Sequence, residues 1–140
     1  IFANGHVTRC RVAVEYLTGY NHAHGICSGL EIKHNQVAGV LCKDIANGQS
    51  FVGCYVSYCN VIIRDSKGVT FDTLTMGSGT IICSGNYSGQ GSNYILTLFN
   101  RTGNVTINNE TGKASDRYFI PESEKTLEFD GCGEVLLCRP

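Results

Sequence analysis

Tryptophan is absent from the 140 residues, methionine occurs once and proline twice. Without tryptophan, and with aromatic residues at only 9%, the composition counts against a dedicated carbohydrate binder. Charge is scarce as well. Asp, Glu, Lys and Arg make up 16% of the chain, too few for a disordered solvating segment. Lys and Arg number 11 against 12 Asp and Glu, a net charge of -1 that excludes a nucleic-acid binder held by bulk charge. No apolar run reaches the roughly 18 residues of a membrane span, so no membrane insertion is expected.

Cysteine and glycine are what the chain has in quantity. Eight cysteines stand at Cys10, Cys27, Cys42, Cys54, Cys59, Cys83, Cys132 and Cys138. Zinc sites bring cysteines in close pairs such as Cys-x-x-Cys, and no such pair occurs. The even count therefore reads as four disulfides with no metal and no cofactor, although the pairing is open. Sequons occur at Asn86, Asn100, Asn104 and Asn109. Four within so short a stretch, together with the cysteines, imply a secreted, extracellular glycoprotein. The chain opens Ile1-Phe2-Ala3-Asn4, which reads as a mature chain after removal of a leader, or as a piece of a longer ectodomain.

Short runs rich in β-branched and aromatic residues recur between Gly, Asn, Asp and Ser clusters. Examples are Val12–Leu17, Leu30–His34, Val37–Cys42, Phe51–Arg64, Val69–Met76, Thr80–Cys83, Tyr94–Phe99 and Val105–Ile107. Further runs are Tyr118–Ile120, Thr126–Phe129 and Glu134–Cys138. This spacing predicts one all-β domain over 1–140, an antiparallel β-sandwich or barrel stapled by four disulfides. Asp65-Ser66-Lys67-Gly68 fits a hairpin loop. Alternation puts Val52, Cys54, Val56 and Tyr58 on one face, and Val69 and Phe71 toward the core. Residues 9–20 also carry Cys10, Ala13, Val14 and Leu17 at helical spacing, so a β-rich α+β fold with one short N-terminal helix is the variant. A parallel β-helix was weighed for residues 60–110, where Gly/Ser/Asn turns alternate with Ile/Val pairs. The unequal intervals and the cysteines favour a closed globule instead.

Chemistry-bearing motifs are weak. His22-Ala23-His24 has the spacing of a two-imidazole chelate, but a third ligand from His6, His34, Glu31 or Glu15 lies at no recognisable spacing. A solvated polar turn is the better reading. Glu15, Glu31, the four histidines, Arg9, Arg11 and Arg64 form the inventory of a small secreted ribonuclease, but not a motif. Gly77-Ser78-Gly79 is not the Gly-x-Ser-x-Gly elbow of a serine nucleophile. The chain is expected not to be an enzyme.

In composition alone, the chain resembles the small cysteine-rich secreted proteins that plant-pathogenic fungi deliver to hosts. That resemblance implies a non-enzymatic secreted effector, a virulence protein whose partner is a host protein or receptor. The alternatives are a receptor-binding or structural fragment of a viral or parasite surface glycoprotein, and a ribonuclease-like hydrolase. Since glycans would shield residues 86–109, a partner is expected on other loops. The candidate binding residues are His22, His24, Glu31, Lys43, Asp44, Lys113 and Asp116.

Overall fold

A computed structural model describes residues 2–17, 25–45, 49–85, 94–99, 105–110, 117–121, 127–130 and 134–138. The described residues form strands and corners, with no helix among them. The chain winds as a coil. The first turn carries β1 (Phe2–Ala3), β2 (His6–Thr8) and β3 (Val12–Tyr16), and the second β4 (Gly25–Ser28), β5 (Glu31–Lys33) and β6 (Ala38–Lys43). The third carries β7 (Gln49–Val52), β8 (Tyr55–Ser57) and β9 (Val61–Arg64), and the fourth β10 (Val69–Asp72), β11 (Thr75–Met76) and β12 (Thr80–Ser84). Beyond them lie β13 (Leu96–Phe99), β14 (Val105–Asn109), β15 (Arg117–Pro121), β16 (Leu127–Asp130) and β17 (Glu134–Cys138).

Each strand pairs in parallel with its counterpart one coil away. Sheet A is ordered β1-β4-β7-β10-β13-β15-β17, sheet B β2-β5-β8-β11, and sheet C β3-β6-β9-β12-β14-β16. This is a parallel β-solenoid of about four turns, and it overturns the antiparallel sandwich or barrel. The physical reason lies at the corners. Asp65-Ser66-Lys67-Gly68 does not fold β10 back on β9 as a hairpin; it turns the chain from sheet C into sheet A. The predicted N-terminal helix is replaced by β3, because Val14 is needed beside Val40 on the inner face of sheet C; residues 18–20 of that segment lie outside the described residues.

Inward side chains stack from coil to coil. In sheet A, Cys27, Phe51, Phe71 and Leu98 lie in register, and the Phe51 and Phe71 rings stack with centroids 4.7 Å apart. In sheet B the column is Val7, Ile32, Val56 and Met76. In sheet C it is Val14, Val40, Val61, Ile81 and Ile107. These residues belong to one buried cluster, apart from Val7, which is half-buried. Ser66 accepts the backbone N–H of Ile45 and donates to the Arg64 carbonyl, at 2.9 and 2.8 Å.

Left-handed residues make the corners. Asn4, Gly29, Gly53 and Thr73 all have φ between 56° and 63°, and they occupy the same corner in four successive coils. Their N–H groups donate to Ser28, Val52, Asp72 and Phe99 carbonyls of the next coil at 2.8–3.0 Å. Arg9, His34 and Tyr58 form a second such column, and Asp44, Asp65 and Gly85 a third. A left-handed residue breaks strand alternation. For that reason Cys54 and Val56 are buried while Val52 and Tyr58 point out, correcting the single face expected for all four. Val69 and Phe71 are fully buried, as alternation implies.

Three substitutions test the corner and the column. Phe71→Ala should lower stability by about 3–5 kcal/mol in urea unfolding, the usual range for an emptied aromatic site. At Gly79 (φ 117°) a Cβ would collide with the Cys59 carbonyl oxygen. At Gly53 nothing lies within 4 Å. Gly79→Ala should therefore destabilise clearly more than Gly53→Asn, since Asn tolerates the left-handed region. Equal losses would contradict this corner geometry.

Candidate functional site

Sheet B presents the most varied chemistry on the solenoid's exterior. Between the two left-handed corners each coil contributes six residues. The hexads are Asn4–Arg9, Gly29–His34, Gly53–Tyr58 and Thr73–Ser78. Within each, the second and fourth residues point inward; Leu30, Ile32, Cys54, Val56, Leu74 and Met76 are buried there. The third and fifth point outward. Parallel register then aligns His6, Glu31, Tyr55 and Thr75 in one column and Thr8, Lys33 and Ser57 in a second. The sixth position, at the corner, adds Arg9, His34 and Tyr58, all exposed.

These side chains touch along the face. Lys33 donates to the Glu31 carboxylate within β5, and His6 Nδ1 lies 3.8 Å from the other Glu31 oxygen. The Lys33 ammonium also sits 5.0 Å from the Tyr55 ring centroid. The hydrogen bond from Lys33 holds the Glu31 carboxyl below the usual carboxylate range, and the same bond raises Lys33. Glu31 is therefore a fixed anion rather than a proton donor near neutral pH. His34 and Tyr58 are stacked, with ring centroids 4.4 Å apart and planes 7° from parallel. The left-handed backbone at both residues turns the rings out of the sheet into one ridge.

The expected binding residues divide. Glu31 lies at the centre of this face, while Lys43 and Asp44 lie at the corner between sheets C and A, away from it. His22, His24, Lys113 and Asp116 lie outside the described residues. His6 and His34, weighed as third metal ligands and among the histidines of the ribonuclease inventory, lie on this face with Glu31. No group of three metal-ligating side chains occurs among the described residues. The hexads themselves are the signal that sequence reading missed. Gly-Leu-Glu-Ile-Lys-His and Gly-Cys-Tyr-Val-Ser-Tyr match position by position once aligned by their left-handed first residue.

The expected disulfides are corrected. No disulfide lies at bonding distance among Cys10, Cys27, Cys42, Cys54, Cys59 and Cys83. Cys132 and the Cys138 side chain lie outside the described residues. Of the six described cysteines, all but Cys10 are buried and serve as small packing residues in the interior. Cys42 and Cys83 share a column, but Ile63 stands between them. Two coil spacings are about 9.6 Å, beyond the roughly 7 Å that a disulfide spans between Cα atoms. The Cys27 sulfur lies 3.0 Å from the Tyr16 hydroxyl. Burial, and secondarily this contact, raise the Tyr16 phenol above its ordinary range. Burial pushes the Cys42 thiol up to about 12 and raises Cys54 as well. Among the sequons, Asn109 points inward in register with Cys83 and is 3% exposed, so it offers no amide to a glycan in this packing. Asn86, Asn100 and Asn104 lie outside the described residues.

Comparison of the chain with protein-family models, curated proteins and solved structures gives no match.

Thiol chemistry checks this account. Native protein treated with iodoacetamide at pH 8 should be alkylated at Cys10, with Cys27, Cys42, Cys54, Cys59 and Cys83 modified only after denaturation. Peptide mapping that finds any two of these six linked would contradict it. Glu31 gives a second check. Its folded-state titration is depressed, so the pair with Lys33 is intact above the ordinary Glu range and is lost as pH falls through the lowered value. In Lys33→Met the Glu31 carboxyl resonance should titrate at higher pH than in the parent.

Proposed function

We propose that the chain is a non-enzymatic interaction module whose ligand-binding face is the outside of sheet B, and that its ligand is an extended, hydroxyl-rich polymer, a glycan. The observation that carries this reading is the ridge of exposed rings beside an aligned ion pair. Tyr58 is 64% exposed and stacked on His34, with Lys33 one column away and its partner Glu31 two. A sugar presents a polarised C–H face to an aromatic ring and hydroxyls around its rim. The rim needs both acceptors and donors, which Glu31 and Lys33 supply in fixed positions. Tyrosine takes the part that the missing tryptophan would otherwise play.

The face suits a glycan better than a protein hot spot. Its accessible outward positions are His6, Thr8, Glu31, Lys33, Tyr55 and Thr75, with no aliphatic anchor among them, while Ser57 is covered. Protein interfaces concentrate their energy in desolvated apolar pockets. Parallel strands at roughly 4.8 Å spacing also offer a linear polymer repeated contacts along the coil axis. Glu31 held ionised favours binding over general-acid catalysis. With no disulfide at bonding distance among the described cysteines, the extracellular part of the reading rests on the sequons alone. No helix among the described residues is long and apolar enough to cross a membrane.

Affinity electrophoresis through gels containing soluble β-glucan, xylan, galactomannan or polygalacturonate tests the proposal. At least one polymer should retard the parent protein, and Lys33→Met should weaken that retardation several-fold without loss of fold. The control is Lys43→Met, on another face, which should bind as the parent does. Equal retardation of all three proteins would place the binding elsewhere.

A further inference from the structure

The corner column of exposed side chains ends abruptly. Arg9, His34 and Tyr58 occupy equivalent left-handed corners in the first three coils. His34 covers one face of the Tyr58 ring. Continuing the register of β8 with β11, in which Tyr55 pairs with Thr75 and Val56 with Met76, brings Gly77 opposite Ser57 and Ser78 opposite Tyr58. The fourth coil thus has no ring where a third one would stack. Ser78 does not fill the place either. Its hydroxyl turns back to accept the Tyr58 backbone N–H at 2.8 Å and lies 3.3 Å from the Ser57 hydroxyl.

Gly77 keeps this place shallow. A Cβ there would lie 2.5 Å from the Tyr55 hydroxyl and 2.6 Å from Ser57 Oγ, so the backbone passes close under both hydroxyls. Among the described residues, no ring stacks on the side of Tyr58 away from His34, where the side chain is exposed. That side is bordered by the exposed Ser78 and by the Tyr55 hydroxyl.

Resting on the glycan reading above, we propose that this place is a sugar subsite in which one pyranose ring stacks on the open face of Tyr58 and continues the His34–Tyr58 stack. The border selects the occupant. An aromatic side chain of a protein would gain the stacking but would desolvate Ser78 and the Tyr55 hydroxyl without replacing their hydrogen bonds, a net cost. A pyranose gains the same C–H contact with the ring and brings hydroxyls for that rim.

The slot is tested by emptying it and by filling it. The probe is whichever of the four polymers retards the parent, used as soluble oligosaccharides in titration calorimetry. Tyr58→Ala should weaken binding about tenfold, the scale of one lost stacked ring. Ser78→Tyr should weaken it comparably, because the new ring occupies the subsite while Tyr58 and His34 remain. Tyr58→Phe, which keeps the ring, should bind within about twofold of the parent. Both weakened variants must keep the parent's unfolding midpoint to within a few degrees. If Ser78→Tyr unfolds, Ser78→Asn, which is bulky but ringless, replaces it and is expected to give partial loss. Parent-like binding by Tyr58→Ala and by the filled variant, together with loss in Lys33→Met, overturns the subsite and leaves the sheet B reading standing. Failure of the parent to bind any of the polymers overturns both.

Discussion

The parallel pairing of each strand with the strand one coil away is the constraint on which the other features depend. Parallel hydrogen bonds are evenly spaced and demand that equivalent residues stay level from coil to coil. That levelling sets Phe51 on Phe71 and Val40 on Val61 inside the coil. Outside, it sets Glu31 beside His6 and Tyr55. Core and surface are two readings of one register. A slip by one residue in β5 would expose Ile32, bury Glu31 and separate the ion pair from Tyr55.

The register survives at the corners because left-handed residues there both turn the chain and keep its hydrogen bonding. The N–H of each residue in the Asn4, Gly29, Gly53 and Thr73 column is spent on the next coil's carbonyl. Glycine takes this conformation freely, but the protein also uses Asn, His, Tyr, Thr and Asp at such corners. Each of those costs on the order of 1–2 kcal/mol relative to an ordinary conformation. At Arg9, His34 and Tyr58 the cost coincides with three exposed, chemically active side chains. Their exposure is a direct outcome of the backbone conformation: a strand residue at the same place would point along the sheet normal.

The solenoid also explains the cysteines. In an antiparallel sandwich of this size, thiols on facing sheets meet across the core, and disulfides follow. In a coil the inner face is built from columns, and small apolar residues of any kind fill them. Cys27 stands in a column with Phe51, and Cys42 in one with Ile63 and Cys83. A thiol there is a packing residue, and burial keeps it protonated and inert. An even cysteine count is evidence for a disulfide framework only when the fold brings the sulfurs together in pairs.

Much of the chain's local structure was legible in the sequence. The β-branched runs fall on strands, the Gly, Asn and Asp clusters on turns, and Val69 and Phe71 face the core as period-two alternation requires. The Ile/Val pairs between Gly/Ser/Asn turns of residues 60–110 also admitted a coil, although a closed globule was the expectation. The steps from Phe2 to Cys27, to Phe51, to Phe71 and to Leu98 all differ in length, however. Segments of varying length between sheets C and A hide the repeat, whereas the hexads of sheet B keep it. Parallel sheets are also usually covered on both faces, which made an antiparallel fold the natural expectation for half-polar strands. Glu31 was recognisable as a candidate by its chemistry. Lys33, two residues along the same strand, was legible beside it, but His6, Tyr55 and Tyr58 were not, because they come from other coils and only the stacking of coils brings them to this face. Local sequence determined where the chain extends and where it turns, since those depend on each residue's own backbone preferences. Which strands pair, which thiols meet and which side chains share a surface depend on contacts distant in sequence, and only the tertiary structure decided them.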